Sequence, residues 1–599
     1  MNRVIIYDYE VFRYDTLLGC IILEGNTEKV FQSWESKDIE NFYKDNINAL
    51  WVGHNNVGYD DYITESITKH ENPYIVSQKI IPKNKGSFAG DNATLQRCKL
   101  KIYSMDLMRL IDNFTYSLKL TELLCGKNIH VSEIDFNLPR PLTEEEKALV
   151  NAYNLDDLKQ TLYNFKKMSD LIKLRLDMIS NFKLDVASNL NVSGATLAAK
   201  ILKAKYKPSL EYAKQKPIMY DCLKIKNQEV LNYYLNEEYR TDKELKIKLC
   251  DTELMVSGNG GIHGAVTKTF EEKLLYIDVS GYYNLIAILF DLLPRTLSEE
   301  AKKQYVDMYY EQLELKKTNP AKREQYKVIL LAVIGSMDRK ESPFYDPENY
   351  LLLTTLGRLF IIDLLEKLDG LVRLIQANTD GIMVVPKEWK NEAKIKAIID
   401  EWVARTKFNI KLETLYRLWQ RDVNCYCCAD EKGELIIKGE ALKNYDISDK
   451  AYGSMKFFKC KEPPIIAQGI VNYLMYGIEP EEFVNKSRKN LKLFQYACSP
   501  KGANYLTYDV ANLATMEHYA EKMQGMDRAF AYKSRDCLGV VYKHWDSYGK
   551  HKSQKYPNLP DNVFIYNYAL EDATEDVYNK IDYQYYIDRI YKKIRDFIE

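Results

Sequence analysis

The chain lacks any apolar run of transmembrane length and any N-terminal segment of the signal-peptide kind, which places it by expectation in a reducing cytoplasm, away from membranes. It also lacks a charge excess. Its 84 Lys and Arg stand against 85 Asp and Glu, a net of −1, so it is no polycation and any nucleic-acid binding has to come from local patches. There is no zinc-finger spacing either. The 11 cysteines are scattered, and their only cluster, Cys425, Cys427 and Cys428, lies in a strand-like run without a second Cys or His pair, so it reads as buried thiols. Nothing suggests disorder: with 46% hydrophobic and 28% charged residues, 599 residues have ample core for three or more domains or subdomains.

Tyrosine is abundant, at 47 residues. The ring and hydroxyl suit half-buried and base-stacking surfaces, although AT-rich coding would equally produce the Tyr, Lys, Asn and Ile excess. One basic patch is visible at residues 166–216, with 11 Lys or Arg against 4 acids, in a mostly helical stretch. A smaller one lies at 533–555, where six bases outnumber two acids and Tyr542, Trp545 and Tyr548 are interleaved. The remainder of 446–599 reads as helices and aromatic, basic loops, closing on an amphipathic helix near 581–598.

Residues 371–386, LVRLIQANTDGIMVVP, read as two apolar strands joined by a turn of Asn378, Thr379, Asp380 and Gly381, with Gly381 free to take positive φ. This hairpin carries one carboxylate out of an apolar sheet, a suitable place for a metal ion. Asp278 closes another apolar strand at 274–278 and is followed by a turn and a helix start. In RVIIYDYE at 3–10, Asp8 and Glu10 share one strand face, where two like charges repel unless a cation lies between them. GHNNVGYDDYI at 53–63 puts Asn56 and Asp60 in a turn-to-helix segment, and a helix at 143–162 carries Tyr153 and Asp157 behind a Thr143/Glu146 capping box.

In this order and spacing the acids match D-x-E, N-x-x-Y-D and Y-x-x-x-D, and so resemble the proofreading 3′–5′ exonuclease domain, RNase H-like in fold. The resemblance implies four carboxylates, Asp8, Glu10, Asp60 and Asp157, on two divalent ions, with Tyr153 orienting the attacking water. Asp156 is the alternative to Asp157, although the Tyr153 spacing favours Asp157. By the same resemblance Asn56 would touch the DNA strand and Lys119 the scissile phosphate. Downstream, LLYIDVSGYYNLIA resembles motif A of family B DNA polymerases, with Asp278 as metal ligand. Tyr283 would exclude the 2′-hydroxyl, with Tyr282 the alternative. In motif A Ser280 sits one place early and Asn284 replaces Pro. Lys327 and Gly335 have motif B spacing; Arg323 and Lys316 would join Lys327 on the triphosphate, while Leu331 and Ile334 stand where the family has Asn and Tyr. ANTDG resembles motif C, with Asp380 as the second metal ligand and Asn378 in place of an Asp. Gly260 and Gly261 resemble the glycine pair that holds template strand, and Lys438-Gly439 the K-G pair at the primer terminus.

The resemblance spans about 1–445 and is nearest to compact bacteriophage-encoded DNA polymerases. It implies a multidomain α/β and α+β chain: exonuclease 1–165, a basic helical connector and the start of the palm 166–255, palm 256–296, fingers 297–340, palm 341–445 and thumb 446–599. The implied activity is primer extension with dNTPs on primer-template DNA, using two Mg²⁺ per active site or Mn²⁺ in its place, plus 3′–5′ proofreading. The implied setting is phage genome replication by a monomer, with helicase, primase or single-strand-binding protein as partners. Only 48 residues separate Asp278 from Lys327 and 52 separate Lys327 from Asp380, too few for the insertions of protein-primed relatives. The alternatives are a 3′–5′ exonuclease with a degenerate polymerase half and a non-enzymatic single-strand-binding scaffold.

Overall fold

The alternating run RVIIYDYEV forms β1 (Arg3–Val11), the middle strand of a five-stranded sheet. β2 (Thr16–Glu24) and β3 (Thr27–Ser33) follow antiparallel on one side; β4 (Leu50–Gly53) and β5 (Tyr103–Asp106) add in parallel on the other. Because side chains alternate along a strand, Ile5, Tyr7, Tyr9 and Val11 enter an apolar core with Leu18 and Trp51. Asp8 and Glu10 point to the opposite face. That face receives the helix Glu144–Lys167, which begins with the Thr143/Glu146 capping box expected from the sequence. The helix comes very close at Gly19, directly opposite Asp8 in the β1–β2 register. A Cβ there would lie 1.7 Å from Asn154 Oδ1 and 2.9 Å from Leu158 Cδ1, so only glycine permits this approach.

The computed structural model describes residues 3–81, 98, 100, 102–112, 114–131, 134–206, 219–235, 244–256, 260–448, 450–547 and 549–599. Among them are 18 helices and four sheets, a mixed α/β architecture. Part of the 166–216 basic stretch, the first residues of the glycine-rich loop (257–259) and Tyr548 lie outside the described residues. The chain divides into two compact units. The first comprises Met1–Ser193, Asn444–Ile466 and Glu481–Arg589; the second comprises Gly194–Lys443, Ala467–Pro480 and Ile590–Glu599. The first unit therefore extends past residue 165, and most of 446–599 groups with it instead of standing apart.

The second unit is built on a nine-stranded sheet. Its strands are β6 (Lys246–Leu249), β7 (Thr252–Met255), β8 (His263–Ala265), β9 (Thr269–Val279), β10 (Val372–Asn378), β11 (Gly381–Pro386), β12 (Ile410–Asp422), β13 (Cys425–Ala429) and β14 (Leu435–Lys438), in the order β14-β13-β12-β9-β11-β10-β8-β7-β6. One face buries Leu274, Ile375, Met383 and Leu418. The helix Pro347–Leu368 buries 16 of its 22 residues, which is why it shows no amphipathic stripe. The helices Glu299–Thr318 and Pro320–Ile334 form the expected pair, tied by Glu311, which accepts from Lys322 and, at 3.0 Å, from the Tyr326 hydroxyl. Cys425, Cys427 and Cys428 are buried free thiols in β13.

The segment 446–599 holds the expected helices, among them Pro464–Tyr476 and Pro480–Ser487, but much of what read as loops is strand. It forms β15 (Tyr496–Cys498), β16 (Tyr505–Asn512), β17 (Glu517–Lys522), β18 (Asp527–Ala531), β19 (Cys537–Ser547), β20 (Lys550–Lys555) and β21 (Val563–Ile565), arranged as β15-β18-β21 and β17-β16-β19-β20. The basic, aromatic stretch 533–555 is largely the β19–β20 hairpin, whose polar residues hide a period-2 pattern. Arg528 binds this segment to the rest of the first unit. It is wholly buried, donates to the carbonyls of Lys127 at 2.8 Å and Tyr568 at 2.6 Å, and meets Gln495 Oε1 at 2.9 Å. The amphipathic terminal helix runs Tyr583–Ile598, burying Tyr586, Ile590, Ile594 and Phe597.

Candidate active sites: two carboxylate clusters

In the first unit Asp8, Glu10 and Asp157 each offer a carboxylate oxygen, all within 4.8 Å of one another. β1 supplies the first two from one face, and the Gly19 approach brings in Asp157. Asp60 lies outside that group of three, near enough to Asp8 for its charge to act there. β4 stops at Gly53 and the chain re-enters as the helix Asp60–Thr68, whose first carboxylate accepts the Tyr9 N–H at 3.1 Å. Burial pushes the Asp8 and Glu10 carboxyls well above the usual range, and their acidic neighbours add to it. Burial likewise raises Asp60 to about 8. Three converging, desolvated carboxylates repel unless a cation intervenes, so the donor set fits a hard divalent ion.

The neighbouring groups orient this cluster. Lys119, at the start of the helix Leu118–Cys125, lies 2.7 Å from Asp157 Oδ1 and 3.1 Å from Glu122 Oε2, with its ammonium 4.6 Å from the centre of the Tyr153 ring. Burial disfavours its charge, but Asp157 and Glu122 outweigh that and raise its pKa. Asp156 is exposed and pairs with Lys159 at 3.2 Å, outside the cluster. Two residues of this site escaped the sequence reading: Asn154, which donates to Asp8 Oδ2 at 3.1 Å, and Glu122, raised by burial and Asp157 to about 8. Beside Glu122 opens a cleft of about 770 Å³ lined by Lys127, Lys159, Lys489, Lys492, Tyr163 and Tyr578 among others.

Asn56 is a correction. It was expected to touch DNA, but it is fully buried, its amide engaged with the Tyr7 hydroxyl at 3.0 Å and Ser104 Oγ at 2.7 Å. These partners cluster around Asp61, which accepts from the Tyr7 and Ser104 hydroxyls. The N-x-x-Y-D spacing thus serves packing at its first residue.

In the second unit, Asp278 is the penultimate residue of the interior strand β9 and Asp380 lies in the β10–β11 turn. Antiparallel register sets Gly381 opposite Asp278, and Val279 N donates to the Asp380 carbonyl at 2.9 Å. Burial and Asp278 raise the Asp380 carboxyl, with the Lys438 charge opposing. The Tyr276 hydroxyl donates to Asp278 Oδ1 at 3.1 Å. Lys438 ends β14, ahead of Gly439 at φ 108°, where a Cβ would lie 2.4 Å from Cys425 Cα.

The turn itself differs from expectation. Thr379 carries the positive φ, 57°, while Gly381 has none. Room at 381 is tight, because a Cβ would stand 3.0 Å from the Tyr276 ring. A β-branched residue in the left-handed region is strained, and its surroundings hold it: Thr379 N donates to the Ile262 carbonyl at 3.0 Å. Gly261 packs on the same tip, since a Cβ there would lie 2.7 Å from Thr379 Cα. The Gly260 carbonyl accepts from Arg358 at 2.7 Å. Packing thus accounts for the glycine at 261. Asn378 donates to Asn424 Oδ1 at 2.6 Å.

Tyr283 is half-buried with its hydroxyl enclosed and unpartnered, above Gly357, whose Cβ would meet its ring at 2.8 Å. Tyr282, the alternative, is fully buried and donates to the Gly357 carbonyl at 2.6 Å. Arg323 and Lys327 stand one turn apart on Pro320–Ile334, Lys327 exposed and paired with Glu324 at 3.4 Å, while Lys316 lies in the last turn of the helix before. Leu331 is 55% exposed one turn beyond Lys327, whereas Ile334 is buried.

No protein-family model and no curated protein matches the chain. Among solved structures, that of the family B DNA polymerase from the hyperthermophilic archaeon Pyrobaculum calidifontis is similar with a TM-score of 0.45, covering 100% of this chain and 78% of that one at 14% sequence identity. A likeness this low in both measures assigns no family by itself.

Proposed function

We propose that the chain is a template-directed DNA polymerase that extends a primer with dNTPs and removes 3′-terminal nucleotides with its first unit, in bacteriophage genome replication in the host cytoplasm. The observation that carries the reading is the β9–β11 register. It sets Asp278 beside Asp380 at one end of a sheet, in the motif order the sequence presents. Asp278 and Asp380 would hold divalent magnesium in the second unit; Asp8, Glu10, Asp60 and Asp157 would hold it in the first. Such ions, when bound, activate the attacking oxygen and neutralise charge on the leaving one.

The remaining chemistry belongs to the chain. Tyr276 orients Asp278 through its hydroxyl, and Lys438 offsets negative charge at Asp380. Lys316, Arg323 and Lys327 would neutralise the triphosphate, and the ring of Tyr283 would lie under the incoming sugar. Leu331, exposed beside Lys327, offers an apolar surface to the nascent base pair in place of an amide. In the first unit Asn154 and Lys119 fix Asp8 and Asp157, leaving Tyr153 to orient water. The lysine-lined cleft beside Glu122 suits a single-stranded 3′ end. Priming on a pre-existing 3′ end, by a monomer served by a helicase, primase or single-strand-binding protein, completes the reading.

The test is one primer-template incubated with Mg²⁺, with and without dNTPs. Extension with dNTPs and shortening without them support the proposal. Shortening alone favours an exonuclease with a degenerate polymerase half, which the neutral Asn378, hydrogen-bonded to Asn424, would motivate. Neither activity would leave only a binding scaffold.

A further inference from the structure

The β19–β20 hairpin brings two histidines together. On one face of the sheet β17-β16-β19-β20, the register aligns Tyr505 with His544 and Asp546 with His551. His544 Nδ1 and His551 Nε2 face each other at 3.2 Å. The outer nitrogen of each ring is already engaged. His551 Nδ1 lies 2.7 Å from Asp546 Oδ1, and a carboxylate can only accept, so this nitrogen bears the proton. His544 Nε2 lies 2.9 Å from Thr507 Oγ1, whose own hydrogen goes to Asp509 Oδ1 at 2.7 Å. The hydroxyl must therefore accept from His544, which places that proton on Nε2.

With a proton on each outer nitrogen, the inner nitrogens of the two rings meet lone pair to lone pair. No hydrogen bond can join two lone pairs; something cationic has to lie between them. From this we infer that His544 and His551 bind a transition-metal ion of the Zn²⁺, Ni²⁺ or Cu²⁺ class, with water completing the coordination. Distance agrees with this: two nitrogens on one tetrahedral zinc, each at about 2.0–2.1 Å, stand roughly 3.3 Å apart. So does the surrounding shell, because metal-bound histidines hand their other N–H to a carboxylate or another oxygen acceptor, as Asp546 and Thr507 provide. The Tyr505 ring, parallel to His544 within 5° at a 4.7 Å centroid separation, fixes the ring plane. This site is made of imidazole nitrogens, unlike the carboxylate clusters, so it selects a softer metal.

The competing occupant is a single shared proton. Zn²⁺ uptake by the full chain distinguishes the two, measured by calorimetry in excess Mg²⁺ so that any oxygen-ligand sites are equally occupied in every variant. Wild type should bind one more Zn²⁺ per chain than His544→Gln or His551→Gln. Asp546→Ala should keep the stoichiometry and weaken affinity about 10–100-fold. Thermal midpoints in chelator check that each variant is folded, and His551, exposed at the hairpin edge, provides the variant least able to disturb the sheet. Equal Zn²⁺ uptake by wild type and folded His551→Gln would overturn the inference in favour of the shared proton.

Discussion

At the residue scale, Tyr276 and Gly381 explain one another. The ring lies across the glycine and its hydroxyl holds Asp278, so Tyr276→Phe removes an orienting bond without emptying space. If Asp278 holds the ion proposed for it, extension should fall about 10–100-fold while 3′ digestion stays unchanged; steady-state rates of both activities check this. The sequence pointed to Asp278 and Asp380 through apolar runs that end in acids. It was silent on Tyr276, because a tyrosine in a strand of this tyrosine-rich chain carries no local signal. Nor could it foretell that Thr379 takes the positive φ, since that follows from Ile262 and Gly261 packing on the turn from elsewhere in the chain.

His54 illustrates a residue whose chemistry comes wholly from its surroundings. Burial holds its pKa down to about 4, and its Nε2–H donates to the Tyr116 carbonyl at 2.9 Å. The fold keeps the ring neutral while the unfolded chain protonates near 6.5, so the fold loses stability as pH drops from about 6.5 towards 4, by on the order of 3 kcal/mol in all. Chemical denaturation at pH 7.5 and pH 5, compared between wild type and His54→Gln, isolates this contribution from the oppositely signed buried carboxylates. The wild type should lose more stability than the variant over that interval, and parallel losses would contradict the assignment.

At the element scale, the first cluster depends on how closely the helix Glu144–Lys167 approaches β2. Gly19→Ala would force a Cβ into Asn154, costing about 1–3 kcal/mol as overpacking usually does and drawing Asp157 and Asn154 away from Asp8. Digestion should fall with little change in extension, and a thermal melt with both assays reads the two effects. The helix, its capping box and the strand-borne pair Asp8 and Glu10 were legible because they are local patterns. Gly19 was not, because a glycine in a strand marks a close approach without naming what approaches. Asn56 erred the other way: its motif spacing is right, yet Tyr7 and Ser104 enclose it.

At the scale of the whole molecule, the division into units departs most from the sequence reading. Residues Asn444–Ile466 and Glu481–Arg589 group with the N-terminal block, and the buried Arg528 is one reason, since its guanidinium gathers carbonyls from Leu118–Cys125 and its C-terminal extension together with Tyr568. Such contacts join residues some 400 positions apart, and composition carries no trace of them. The seven strands of that segment were likewise hidden by short lengths and polar faces. The acids were legible along the chain in spite of this division, because each lies in a strand, helix or turn that its local sequence defines.

Two carboxylate clusters that serve two separable reactions should respond independently to substitution, which is measured by assaying Asp380→Ala and the double variant Asp8→Ala with Glu10→Ala on one labelled primer-template with Mg²⁺. Asp380→Ala should abolish extension and keep 3′ digestion, and the double variant should do the reverse. Loss of both activities in either folded variant, or extension that survives in Asp380→Ala, would contradict this independence.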